Sequence, residues 1–171
     1  MTPAAQTRQD LDHVGRIRQQ WAEQRPELDT TPMGIIGRVH RLGEHLNGEL
    51  RPVFAAAGLS DGEFDVLASL RRVGEPYELT PGGLMATTMV TSGAVTKRVD
   101  RLATAGLVER AVCPDDARSR RIRLTAAGLA LVDELVEKHL VNEERLLGGL
   151  DAAERAQLEA LLEKWSRALD Q

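Results

Sequence analysis

Three features of this chain predict a mainly α fold with a small β-wing. Only 3% of its 171 residues are aromatic, so the core must come from Leu, Val, Ile and Ala, a composition that favours helices. Apolar residues recur every three or four positions along most of the chain, the period of amphipathic helices. The exception follows Gly106, where the sequence reads as a two-stranded ribbon whose tip is crowded with arginine. A short helix followed by a basic ribbon is the order of a winged helix-turn-helix. One such domain is expected over 1–171. Its helical regions 1–58 and 125–171 would dimerise, and 60–125 would form the winged unit.

Taken in order, residues 6–24 place Leu11, Val14, Ile17 and Trp21 on one helical face. Pro26, Asp29, Thr30 and Thr31 break that helix. A long helix is expected from Pro32 to Ala57, carrying Ile36, Val39, Leu42, Leu46 and Leu50, with Gly58 as a left-handed cap. Ser60 and Glu63 have capping-box spacing and open a helix through Phe64, Val66, Leu67 and Leu70. Thr80 followed by Pro81 starts another. Gly82 and Gly83 each cost about 1 kcal/mol against alanine there, so that helix should be short.

Thr91 or Ser92 opens the next helix, which runs to Ala105 and ends at Gly106. After the ribbon, Thr125 caps a helix bearing Leu129, Val132, Val136 and Leu140. Asp151 with Glu154 opens the last, carrying Leu158, Leu161, Leu162, Trp165 and Leu169. The terminal helices offer apolar stripes that a central winged unit does not need for its own core. A two-fold dimer would bury them and set two recognition helices about one DNA turn apart.

Composition excludes several classes of function. No apolar run reaches the roughly 20 residues that span a bilayer, so no membrane role is expected. The first twenty residues lack an apolar stretch followed by a cleavage site. A single cysteine, Cys113, cannot close an internal disulfide and fits the reducing cytoplasm. His13, His40, His45 and His139 are scattered, with only His40 and Glu44 at i,i+4 spacing, so neither a metal nor a cofactor is expected. No nucleophile elbow, phosphate loop or acid pair supports an enzyme.

Charge points to a polyanion instead. Over 91–125, Lys97, Arg98, Arg101, Arg110, Arg118, Arg120, Arg121 and Arg123 stand against Asp100, Glu109, Asp115 and Asp116, within a chain of net charge −4. A basic island in an acidic protein is a nucleic-acid footprint. At about 100° per residue, Val95, Val99 and Leu102 define the inner face of the 92–105 helix. Gly93, Lys97 and Arg101 point away from it, with Thr96 and Asp100 alongside. Double-stranded DNA with a palindromic operator is the expected partner. Thr91, Ser92, Gly93, Thr96, Lys97 and Arg101 would enter the major groove, and Arg118, Ser119 and Arg120 of the wing would meet the adjacent backbone or minor groove. An architectural nucleoid protein and a protein-interaction adaptor are the rival readings. Arg98 falls on the flank of the inner face, where a partly buried guanidinium wants an anionic partner, and Asp65 is the best candidate.

The stretches EFDVLASLRR, LTPGGLMATTMVTSGAVTKRVDRL and AGLVERAVCPDDARSRRIRLTAAG resemble the MarR family of transcription regulators. The last is the most specific, since Asp116, Arg118 and the 122–125 run match the family's wing. QQWAEQRPELDTTPMGIIGRVHRL resembles the extra N-terminal helix of the urate- and aconitate-responsive branch. That resemblance implies an effector pocket of Trp21, Asp65 and Arg98, joined by Arg72. It also implies a repressor released when a small anionic ligand competes with Asp65 for Arg98. The implied helix shift would spoil the spacing on DNA.

Overall fold

The computed structural model describes residues 11–88, 95–113 and 116–170, with backbone alone over 112–113 and 116–119. The described residues form two compact units, one ending at Glu49 and the other beginning at Leu50.

In the first unit, α1 (His13–Gln24) begins later than the sequence pattern suggests. Leu11 and Asp12 lie outside the helix, because Asp12 has extended backbone and its carboxylate accepts from Gly15 N–H at 2.7 Å. A cap of this kind satisfies an otherwise orphaned donor and defines the helix start. Residues 6–10 of the expected helix lie outside the described residues. The break at 25–30 is present, and α2 (Thr31–Ala55) follows, two residues shorter at its end than expected. Glycines let α1 and α2 approach: a Cβ on Gly34 would meet the Arg18 side chain at 2.9 Å, and one on Gly37 would meet Val14 at 3.2 Å. Arg38 closes the pair with a bidentate grip on Asp12 at 2.8 and 2.9 Å.

The second unit is built around α3 (Asp61–Arg72), whose residues Gly62 to Leu70 are all buried. Its capping box forms as the spacing predicts. Gly58 takes φ +73, the left-handed conformation that a helix end needs and glycine supplies without strain. Thr80 caps α4 (Pro81–Thr87), which is seven residues long. Val95–Thr104 forms α5 (its expected start at 91 or 92 lies outside the described residues), and Gly106 ends it at φ +72. Thr125 caps α6 (Ala126–Leu146), and Asp151 with Glu154 boxes α7 (Ala152–Leu169).

The ribbon is β2 (Val108–Cys113) antiparallel to β3 (Asp116–Leu124), and a third strand joins it. The two-residue β1 (Glu78–Leu79) pairs with β3 through Glu78↔Arg123 and Leu79↔Ile122, giving the order β1-β3-β2. The sequence reading has two strands because a two-residue strand carries no period of its own. The core is also wider than 60–125: Phe54 of α2 stacks on Phe64 at 4.1 Å between centroids, and Val132 and Leu135 of α6 join the same cluster. The joint between ribbon and α6 is tight. Thr125 N–H donates to the Leu107 carbonyl at 3.1 Å, and a Cβ on Gly128 would lie 1.9 Å from that same oxygen.

Candidate nucleic-acid interface

The segregation of faces expected for α5 is present. Val95, Val99 and Leu102 are buried, whereas Thr96, Lys97, Asp100 and Arg101 are exposed. Apolar burial on one side therefore aims the polar residues outward, which is what a groove-entering helix requires. Thr91, Ser92 and Gly93 lie outside the described residues. Arg118 and Ser119 fall on β3, with their side chains undescribed, and Arg120 beside them is exposed. Cys113 ends β2, also with its side chain undescribed.

The basic island is partly neutralised by acids that the local sequence count omits. Glu78 of β1, nearly buried, receives Arg123 at 2.6 Å and Arg121 at 3.3 Å. Arg110 pairs with Asp100, tying β2 to α5. Arg101 reaches Glu63 at 3.1 Å through Nε. Among the described residues, Lys97 and Arg120 have no ion-pair partner. Arg110, Arg120 and Arg121 line a cavity of about 330 Å³ together with Pro81, Val95, Thr96, Val99 and Ile122. Cations lining a partly apolar cavity can hold a phosphate or a carboxylate.

Glu63 is the most connected of these acids. Its carboxylate accepts from Ser60 N–H at 2.8 Å and from the Ser60 hydroxyl at 2.7 Å. Burial pushes its carboxyl up, but the Ser60 hydrogen bonds and the charges of Arg101 and Arg98 outweigh that, and the group titrates below the usual glutamate range. Sequence reasoning sees Glu63 only as a capping residue. Nothing local signals that Arg101, thirty-eight positions on, would share it.

The residues expected to bind an effector are placed as follows. Trp21 is an exposed residue of α1, in the first unit. Asp65, Arg72 and Arg98 belong to the second, with Asp65 buried in α3. Arg72 is engaged structurally: its Nη2 donates to the Ser69 hydroxyl at 3.0 Å and to the Thr87 carbonyl at 2.9 Å, joining α3 to the end of α4. Arg98 turns toward another helix, as its position on the wheel implies. Its guanidinium lies over Gly62, where a Cβ would come within 2.3 Å of Nε, and its Nη1 is buried without a hydrogen-bond acceptor. Among the described residues no three His, Cys, Asp or Glu gather as a metal site. No described helix is long and apolar enough to cross a membrane.

Comparison with known proteins is consistent along the chain. The MarR family sequence profile matches residues 57–119. The regulator PecS of Dickeya dadantii is 40% identical over 149 residues, covering 87% of this chain and 90% of that one. A cysteine-to-serine mutant of Escherichia coli MarR, in complex with operator DNA, superposes with a TM-score of 0.67 at 28% identity, over 84% of this chain and 96% of that one. BpsR of Bordetella bronchiseptica, whose DNA binding is regulated by 6-hydroxynicotinic acid, gives 0.69 at 25% identity, over 81% and 96%. These likenesses span the helix-turn-helix, the wing and most of the flanking helices, and this chain belongs to the MarR family of winged-helix transcription regulators.

Proposed function

We propose that this chain is a homodimeric, sequence-specific DNA-binding repressor of the cytoplasm, acting at a palindromic operator and released by a small anionic metabolite. The observation that carries the DNA reading is α5, with Thr96, Lys97 and Arg101 exposed opposite a buried face and basic strands following directly. The operator complex of the E. coli MarR mutant supports it. Thr91, Ser92, Gly93, Thr96, Lys97 and Arg101 would occupy the major groove, and Arg118, Ser119 and Arg120 would follow the backbone into the minor groove. Dimerisation through 1–58 and 125–171 is supported by the apolar residues that α6 and α7 leave exposed, among them Leu140, Val141, Leu158, Leu161 and Leu162.

Release would act through Arg98. Its unpartnered Nη1 and the buried Asp65 of α3 suit a site where a carboxylate or urate-like anion competes for the guanidinium, with Arg72 of the same unit contributing positive charge. The response of BpsR to an aromatic acid supports an effector of this class. To act, the ligand must prefer the off-DNA form; a tenfold preference corresponds to about 1.4 kcal/mol per site.

Footprinting and gel shifts on DNA upstream of the protein's own gene test the first part. The expected result is a protected palindrome with affinity falling steeply with salt. Equal affinity for upstream and random DNA would indicate an architectural protein, and no salt-sensitive binding at all an adaptor. A thermal-shift screen with urate, xanthine and aconitate, followed by operator release, tests the second. Arg98→Ala should abolish both shift and release; a wild-type response from that variant removes the release mechanism.

A further inference from the structure

We propose that Glu63 is a specificity-determining residue, a buried buttress that holds Arg101 by its Nε so that the two terminal amines present a fixed fork to a guanine edge. The inference rests on the DNA-binding reading of α5 and adds the division of labour within it. Arg101 projects outward, with 71% of its side chain exposed, yet its Nε sits 3.1 Å from a Glu63 carboxylate whose side chain is only 3% exposed. That carboxylate cannot swing to follow the arginine. Two hydrogen bonds from Ser60 and the first turn of α3 hold it in place.

A phosphate contact needs none of this. Phosphate presents acceptors over a wide range of directions, and a mobile arginine satisfies them through charge alone. Reading guanine is more demanding, because O6 and N7 lie in one plane and require two coplanar donors at once. A free arginine side chain loses considerable rotamer freedom in meeting that demand. An ion pair at Nε removes part of that loss beforehand and leaves Nη1 and Nη2 for the base. The negative partner also lowers the pull of Arg101 on DNA of any sequence, which favours discrimination over general affinity.

A second anchor keeps the geometry stiff. Arg98, three residues earlier and so on a neighbouring face of α5, packs its guanidinium across Gly62, the residue preceding Glu63. The two arginines thus hold α5 against one turn of α3. Lys97 and Arg120, without ion-pair partners among the described residues, are the complementary set that supplies unspecific phosphate contacts.

The experiment measures binding of the full-length protein to its operator and to random duplex of equal length. It adds protection of guanine N7 from methylation. Glu63→Gln keeps an acceptor for the Ser60 cap and removes the charge; Arg101→Lys keeps the charge and removes the fork. Glu63→Gln should retain random-DNA affinity within about threefold. Both variants should reduce the operator-to-random ratio by about tenfold or more, the scale of one lost bidentate base contact. Both should lose protection of the same guanine in each half-site. If Glu63→Gln leaves the ratio and the protection unchanged, or weakens operator and random DNA alike, Glu63 is a structural tie and the proposal is overturned. Wild-type protein that does not distinguish operator from random DNA removes the functional reading itself, a result recognisable before any variant is compared.

Discussion

Helices α3 and α7 look alike as sequence and end in opposite situations. Each opens with a capping box and repeats apolar residues at helical spacing. In α3 every residue from Gly62 to Leu70 is buried; in α7 no residue is. Periodicity states only that a helix has an apolar face, not where the cover comes from. For α3 the cover is the same chain: α4, α5, α6 and the sheet surround it. For α7, Leu158, Leu161, Leu162 and Leu169 remain open within the second unit. Exposed apolar residues at helical spacing suit an association surface, which the proposed second copy would cover.

Substitutions that should act differently on the two helices sharpen the contrast. The largest effect is expected for Leu67→Ala or Leu70→Ala, fully buried in α3, at about 2–5 kcal/mol of stability in denaturant unfolding. A loss well below 1 kcal/mol would place the core elsewhere. Gly128→Ala comes next. Its Cβ has no room beside the Leu107 carbonyl, and the resulting overpacking should cost about 1–3 kcal/mol despite the better helix former. Leu161→Glu in α7 should leave the helical signal in circular dichroism intact while sedimentation shows monomer. Loss of the helical signal as well would mean that α7 belongs to the core after all.

Acid should then separate the first turn of α3 from the rest. The folded-state pKa of Glu63 is depressed, so its contribution is fully present above the unfolded-state glutamate value and is lost as pH falls through the lowered folded value. Stability of the wild type should therefore drop more between mildly and strongly acidic pH than that of Glu63→Gln; parallel profiles would contradict the coupling. The smallest effect on the fold is expected for Arg120→Ala. Unfolding should be unchanged, while affinity falls for all DNA sequences and the salt slope flattens by about one. Operator binding at wild-type strength would remove Arg120 from the wing contact.

Much of the local structure is legible from residue order. The caps at Ser60, Thr80, Thr125 and Asp151, the left-handed Gly58, the helix end at Gly106, and the short α4 all follow from interactions within a few residues, which is why pattern alone finds them. So does the division of α5 into an inner and an outer face. The start of α1 is less legible, because apolar spacing runs through Leu11 while the Asp12 cap sets the boundary at His13.

The sequence by itself determined the helical composition, the winged order of elements and which residues of α5 face outward, since each depends on neighbours one or two turns away. Only the tertiary structure decided which arginines are held by acids. Glu63 and Glu78 lie far from Arg101, Arg121 and Arg123 along the chain, and folding brings them within ion-pair distance. The same holds for β1, too short to carry a period, and for Phe54, which joins the core by stacking on Phe64. Charges and strand edges find partners through space, and linear order carries no record of that distance.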